Sequence, residues 1–226
     1  MNQILQFLTR LRDNNNREWF QAHKDEYNRV KLSVEALTAD LLQALATIEP
    51  EAAYLSPADC TYRIYRDTRF SLDKTPYKTL IGIFMNPPYG KKAMTAGHYL
   101  HLEPDNVFFA AGTVCLPSPT LRRLRQSIYD EIDEYRAIVD APEFRRLFPH
   151  VGDKPLKTAP KGFPRDWPYL DYIRPRDFVA YSATLPSDTP LSDLPQLLLP
   201  YMKQASRFNA FLNFTLADCP PSKNVI

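Results

Sequence analysis

Helix-type and strand-type patterns are segregated along this chain, and their order constrains the fold more than any other feature. From Arg17 to Ile48 the residues Trp19, Phe20, His23, Tyr27, Val30, Val34, Leu37, Leu41 and Leu45 hold one stripe at helical spacing. Between Tyr62 and Thr113 the period changes. Tyr62–Arg66 alternates, Thr79–Met85 is rich in β-formers, and Gly97–Glu103 and Asn106–Gly112 flank the turn signal Glu103-Pro104-Asp105-Asn106, which predicts a hairpin. Helical spacing returns from Ser118. Helices, then clustered strands, then helices is the order of an α+β fold, a mostly antiparallel sheet with helices packed against it. A doubly wound parallel sheet would need strands alternating with helices.

Local signals refine this. Ile4, Phe7, Leu8 and Leu11 predict a short first helix, interrupted at Asp13-Asn14-Asn15-Asn16. Asn15 with Glu18 three residues on predicts a capped second helix, long and stopped by Pro50. Ser118-Pro119 reads as a cap with a first-turn proline, followed by the stripe Leu121, Leu124, Ile128, Ile132, Tyr135 and Val139. A shorter helix is expected over Pro142–Phe148, an irregular stretch over Asp153–Pro168, and a further strand over Phe178–Leu185. Leu191–Leu216 reads as helix broken near Pro200 or Arg207. Asp218–Ile226 has no period and reads as a flexible tail, leaving residues 1–217 as a single domain.

Composition narrows the function classes. A hydrophobic share of 44% with 24% charged residues supports a real core and excludes a disordered chain. A net charge of +2 argues against a general polyanion binder, so recognition of an anion must come from a local patch. The three cysteines, Cys60, Cys115 and Cys219, show no paired metal-ligand or redox spacing, which fits a reducing compartment. Met1–Arg10 carries no basic leader followed by an apolar block, and no run approaches the roughly 20 apolar residues of a membrane span. The expectation is a soluble, cytoplasmic chain.

The local patch is Arg63–Lys78. It holds Arg63, Arg66, Arg69, Lys74 and Lys78 against Asp67 and Asp73, a surplus larger than that of the whole chain. Tyr65, Phe70 and Tyr77 are interleaved. Guanidinium forks beside aromatic faces and hydroxyls suit phosphate or carboxylate. The alternative is a structural network in which the two aspartates neutralise neighbouring arginines. Lys157 and Lys161, in Leu156-Lys-Thr-Ala-Pro-Lys161-Gly162, add two cations without a local acid, a second candidate wall of the same site. Arg122, Arg123 and Arg125 precede Asp130, Glu131, Asp133 and Glu134 on one expected helix, the reverse of what the helix dipole favours. Tertiary partners or an anion at the helix start would account for that order.

His98 and His101 fall on opposite faces of the expected strand, so they cannot share a metal. His101 and Glu103 share a face and are candidates, with Asp67, for acid–base work. No Ser-His-Asp order, HExxH or glycine-rich dinucleotide fingerprint occurs.

Four blocks also carry a resemblance: Phe7-Leu8 with Asn14–Phe20 and Tyr27; Arg66–Ser71 with Asp73–Lys78; Gly97–Pro104; and Leu156–Phe163. Together they resemble the bacterial family known as domain of unknown function 2461, from Phe7 to about Leu216. The resemblance implies a single domain and brings no catalytic residue with it.

These residues lead to one expectation and two alternatives. The chain is expected to bind a phosphorylated or otherwise anionic ligand at a cationic cleft built from Arg63, Arg66, Arg69, Lys74, Tyr77, Lys78, Lys157 and Lys161. The alternatives are a phosphoester-processing or phosphoryl-transfer enzyme and a module that docks an acidic protein. No metal, cofactor or membrane is expected, and a small anion is favoured over nucleic acid.

Overall fold

The structure is a computed structural model of the chain and describes residues 1–87, 89–92 and 94–217. The tail expected from Asp218 therefore lies outside the described residues. The fold is α+β. Its antiparallel sheet runs in the order β1-β2-β3-β5-β4, with β1 at Ile81–Met85, β2 at Gly97–Leu102, β3 at Phe108–Thr113, β4 at His150–Asp153 and β5 at Asp177–Tyr181. The described residues divide into two compact units. One comprises Met1–Lys91, Tyr99–Phe109 and Thr184–Leu199; the other comprises Lys92–His98, Ala110–Ala183 and the chain from Pro200 onward.

In the first unit, α1 (Asn2–Asp13) buries Ile4, Leu5, Phe7, Leu8 and Leu11, the face its spacing predicts. The long stripe forms two helices rather than one, α2 (Arg17–Ala22) and α3 (Lys24–Ala46). They part at His23, at φ −111° and ψ 19°, where the ring Nδ1 lies 2.8 Å from the Trp19 carbonyl and the imidazole stacks on the Trp19 indole at 4.0 Å. A side chain competing for a helical carbonyl uncouples the two stretches. Phe20 and Val34 are buried as expected, whereas Trp19 and Tyr27 are only half-buried. The α3 helix packs on α1, on the 3-10 turn Pro50–Tyr54 and on α4 (Pro57–Cys60), and α4 packs on β1.

Asn16, not Asn15, caps α2, its side-chain oxygen accepting from the Trp19 amide at 2.9 Å. Asn15 is used elsewhere. Its Nδ2 donates to the Tyr77 carbonyl at 2.9 Å and its Oδ1 accepts from the Tyr77 amide at 3.1 Å. The expected strand at Tyr62–Arg66 shrinks to isolated bridges, Thr61 with Ile83 and Tyr65 with Tyr77. Arg66 donates its amide to the Pro76 carbonyl at 2.9 Å and Lys78 to the Ile64 carbonyl at 2.8 Å. The basic segment thus closes on itself as a loop, because Pro76 has no amide with which to extend a ladder.

In the second unit, β3 and β5 pair with Ala110 opposite Tyr181 and Thr113 opposite Phe178. At Gly112, φ is +120° and any Cβ would collide with the Phe178 carbonyl oxygen, so only glycine allows this approach. β4 was not foreseen: it is short and its register with β5 shifts between Val151 and Asp153. The stripe from Ser118 becomes α5 (Ser118–Asp130) and α6 (Ile132–Val139), capped by Pro117 rather than Ser118 and separated at Glu131. The break answers the reversed charge order, since it moves Asp133 and Glu134 to the first turn of a new helix, where the dipole favours carboxylates. Next comes α7 (Pro142–Leu147), and Tyr135, Phe144 and Phe148 form an aromatic core with Phe208 and Phe211. The last helix, α8 (Leu194–Leu216), runs unbroken through Pro200, contrary to the expected break. The proline forfeits one backbone bond there, and Leu194, Leu198, Met202, Ala205, Phe208 and Leu212 stay fully buried at helical spacing.

Candidate anion-binding cleft

The first unit contains a cleft of about 880 Å³, within the range of small-molecule sites. Three stretches supply its cations: α3 gives Lys31, the start and end of the basic loop give Arg63, Arg66 and Lys78, and the turn at Gly90 gives Lys91. Only two carboxylates, Glu35 and Asp67, line it as well, so cations are in clear surplus.

The loop sorts its charges into two kinds. Arg66 pairs with Asp73 and with the Thr75 hydroxyl, and reaches the Thr75 carbonyl at 3.2 Å. Arg69 grips Asp67 through a fork, Nε to Oδ1 at 3.0 Å and Nη2 to Oδ2 at 2.6 Å. The fork holds the Asp67 carboxyl down at about 2. The Thr75 amide, then Arg66, does the same for Asp73, also at about 2. Lys74 donates to the Thr68 carbonyl at 2.9 Å. These residues meet the loop's own needs.

Arg63 and Lys78 differ. Among the described residues neither has an ion pair or a side-chain hydrogen bond. Lys78 Nζ lies 5.5 Å from the Tyr62 ring centroid, and burial, then the nearby charge of Arg63, pushes its ammonium below the ordinary lysine value. Two mutually repelling cations in one cleft are an arrangement that an anion relieves. Lys91 shares the Tyr62 ring at 6.0 Å while donating to the Thr61 carbonyl at 2.6 Å and to the Ala58 carbonyl.

Beside the cations stands Tyr99, which lines the same cleft. A Cβ on Gly82 would sit 2.7 Å from its hydroxyl, so glycine at that position makes room for the phenol. Tyr99 Oη lies 3.0 Å from His101 Nδ1, and His101 Nε2 lies 3.1 Å from Glu103 Oε2. Burial pushes the Glu103 carboxyl up, but hydrogen bonds from Asn106 and His101 outweigh it and the group lies below its usual value. An ionised carboxylate only accepts, so in the neutral imidazole Nε2 carries the proton and Nδ1 accepts from the phenol. The result is a chain of three groups leading from the cleft to the half-buried Glu103 carboxylate.

Of the residues singled out in the sequence, Arg63, Arg66, Lys78 and Asp67 line this cleft, and His101 and Glu103 connect to it through Tyr99. Arg69 and Lys74 are in the loop but not in the lining. Tyr77 is buried and stacked on Phe20 at 4.0 Å, so its ring faces are already used. Lys157 and Lys161 are exposed and belong to the second unit. Sequence reasoning missed Lys91, Tyr62 and Tyr99. The alternation that paired His101 with Glu103 also puts Tyr99 on that face, a signal available for the phenol; nothing local marks Lys91.

The described residues thus form an α+β protein with a cationic cleft. The family described as conserved hypothetical protein (DUF2461) matches residues 3–211, and the chain belongs to it. No curated protein and no solved structure matches the chain. Among the described residues no group of three or more His, Cys, Asp or Glu is placed to hold a metal, and no helix is long and apolar enough to cross a membrane.

Proposed function

We propose that the first unit binds a small phosphorylated or otherwise anionic ligand in this cleft, with Arg63 and Lys78 as its principal contacts. The observation carrying the proposal is that these two cations line one cleft with no ion pair of their own, whereas Arg66 and Arg69 are each paired with an aspartate of the loop. Arg66 positions the loop and presents its edge to the ligand. Tyr62 holds the two lysines in place through its ring. A concave cavity of this size suits a nucleotide or sugar phosphate better than a polymer or an acidic protein face. A cytoplasmic setting is part of the reading, supported by Cys60 and Cys115 both being free thiols.

Calorimetric titration with a panel of nucleotides and sugar phosphates at low salt tests this. Replacing Arg63 or Lys78 by Ala should weaken binding by about 1.5–3 kcal/mol with little change in melting temperature. No binding by any member of the panel to the unaltered protein would refute it.

A second reading, phosphoester processing, is favoured by one feature alone, the Tyr99–His101–Glu103 chain. In it a water adds to the phosphorus as the ester oxygen leaves, Tyr99 gives its proton to that oxygen, and the phenolate regains the proton that the water releases, with His101 orienting the phenol. Turnover of a phosphoester by the unaltered protein, lost in Tyr99→Phe with binding retained, would establish catalysis over binding.

A further inference from the structure

The reversed charges of α5 leave an anomaly in the second unit that the first cleft does not explain. Arg125 is more than nine-tenths buried and has no carboxylate partner. Its Nη2 donates to the Pro175 carbonyl at 2.7 Å and more weakly to the Arg174 carbonyl at 3.4 Å. Its Nε is buried with no acceptor at all. A guanidinium taken out of water without a counter-charge is among the costliest arrangements in a protein. Burial, then the charge of Arg176, pushes the group below its ordinary value. Arg176 itself is exposed, and its side chain has no partner among the described residues. Neighbouring Arg174 by contrast has a carboxylate, its Nη1 donating to Asp171 at 2.8 Å, although its Nε is likewise buried without an acceptor.

Arg125 lines a cavity of about 510 Å³ together with Arg176, Lys154, Ser118, Cys115 and Asp177. Asp177 makes no hydrogen bond to either arginine; one of its oxygens accepts from Lys154 Nζ at 2.6 Å and the other from the Cys115 amide at 2.8 Å. The cavity opens at the start of α5. No side chain caps that helix, and the amides of Ser118 and Thr120 have no acceptor among the described residues. Free amides, a helix dipole and three cations against one carboxylate leave about two positive charges uncompensated, the complement of a phosphate dianion rather than a carboxylate.

We propose that this cavity is a second anion site, a receptor for the phosphoryl group of a small ligand, with the forks of Arg125 and Arg176 and the first amides of α5 as its donors. It does not depend on the cleft of the first unit. Phosphate bound here supplies the counter-charge that Arg125 lacks. The exposed Cys115 thiol at the rim is a built-in reporter.

The test follows alkylation of Cys115 by iodoacetate and by neutral iodoacetamide, read by peptide mass spectrometry on the full chain carrying Cys219→Ser. Iodoacetate, an anion, should react preferentially, and millimolar inorganic phosphate should suppress that preference. Arg176→Ala, an exposed and foldable change, should weaken phosphate protection about tenfold, as loss of a hydrogen bond to a charged group would. Arg125→Lys, which keeps the charge but loses the fork, should weaken it similarly, while Arg63→Ala should leave it untouched. Protection that persists unchanged in both Arg176→Ala and Arg125→Lys, or no effect of phosphate on either reagent, would overturn the site.

Discussion

Asn15 offers the most discriminating test of how this chain is held together. Sequence pattern makes it a helix cap, whereas the structure makes it a clamp on the far end of the basic loop. Its side chain satisfies both backbone groups of Tyr77, as donor at 2.9 Å and acceptor at 3.1 Å, in a partly buried setting. Asn15→Ala removes two hydrogen bonds and leaves an amide and a carbonyl to find water, a loss of about 2 kcal/mol. Asn15→Asp should cost nearly as much, because the oxygen replacing Nδ2 would face the Tyr77 carbonyl. Asn16→Ala removes only the cap on the Trp19 amide, about 1 kcal/mol. Asn14→Ala removes an exposed bond to the Arg10 carbonyl and should change stability by less than about 0.5 kcal/mol. Urea unfolding followed by tryptophan fluorescence reads this order. The chain has two tryptophans, so a Trp167→Phe background leaves Trp19, at the site of the change, as sole reporter. If Asn16→Ala proves costlier than Asn15→Ala, the clamp is not what anchors the loop.

Gly82→Ala should swing the Tyr99 phenol away, since the new Cβ would lie 2.7 Å from its hydroxyl. The histidine resonance of His101 in an NMR spectrum should then shift while the melt changes by no more than about 1 kcal/mol, the cost of one lost hydrogen bond; an unmoved resonance would show the phenol does not depend on that glycine. Lys78 has a folded value below its unfolded one, because burial and Arg63 disfavour its charge. The unfolded chain therefore binds more protons between the two values, and Lys78's contribution to stability increases as pH rises through that window. Affinity for an anion should fall over the same window as the charge is lost, and Lys78→Arg should carry binding to higher pH; titrations at stepped alkaline pH showing the same decline in both proteins would refute the role of Lys78.

The α+β class and the positions of most elements were legible because they depend on periodic burial. Ile4, Phe7, Leu8 and Leu11 needed no tertiary information to define a face, and Glu103-Pro104-Asp105-Asn106 carries its own turn chemistry. What failed were boundaries decided by side chains acting on the backbone. His23 takes a carbonyl from its own helix, and nothing in a hydrophobic period registers that. Pro200 was given a breaker's weight, yet the buried residues on either side of it keep α8 continuous. Tertiary burial worth several kcal/mol outweighs a local penalty of about 3 kcal/mol.

The candidate sites were legible as charge but not as availability. Counting cations over Arg63–Lys78 gives the surplus, and a surplus belongs to no residue until pairing is known. Asp67 was free in sequence to neutralise Arg63, Arg66 or Arg69; loop geometry gives it Arg69, two residues away, through a fork. Asp73 goes to Arg66, which leaves Arg63, Lys74 and Lys78 without a carboxylate; Lys74 turns to the Thr68 carbonyl, and Arg63 and Lys78 are the two that line the cleft. The same reasoning separates the two units. In the first, the two aspartates of the loop select among five cations. In the second, the one carboxylate of the cavity lining, Asp177, bonds Lys154 and a backbone amide, and Arg125 is buried without an ion pair. The reversed charge order of the sequence is answered by the break at Glu131 only on its acidic side; Arg125 stays on α5. That order becomes informative because helix dipoles penalise it by only a few tenths of a kcal/mol to about 1 kcal/mol, an amount easily outweighed by one charge-assisted bond to a bound phosphate.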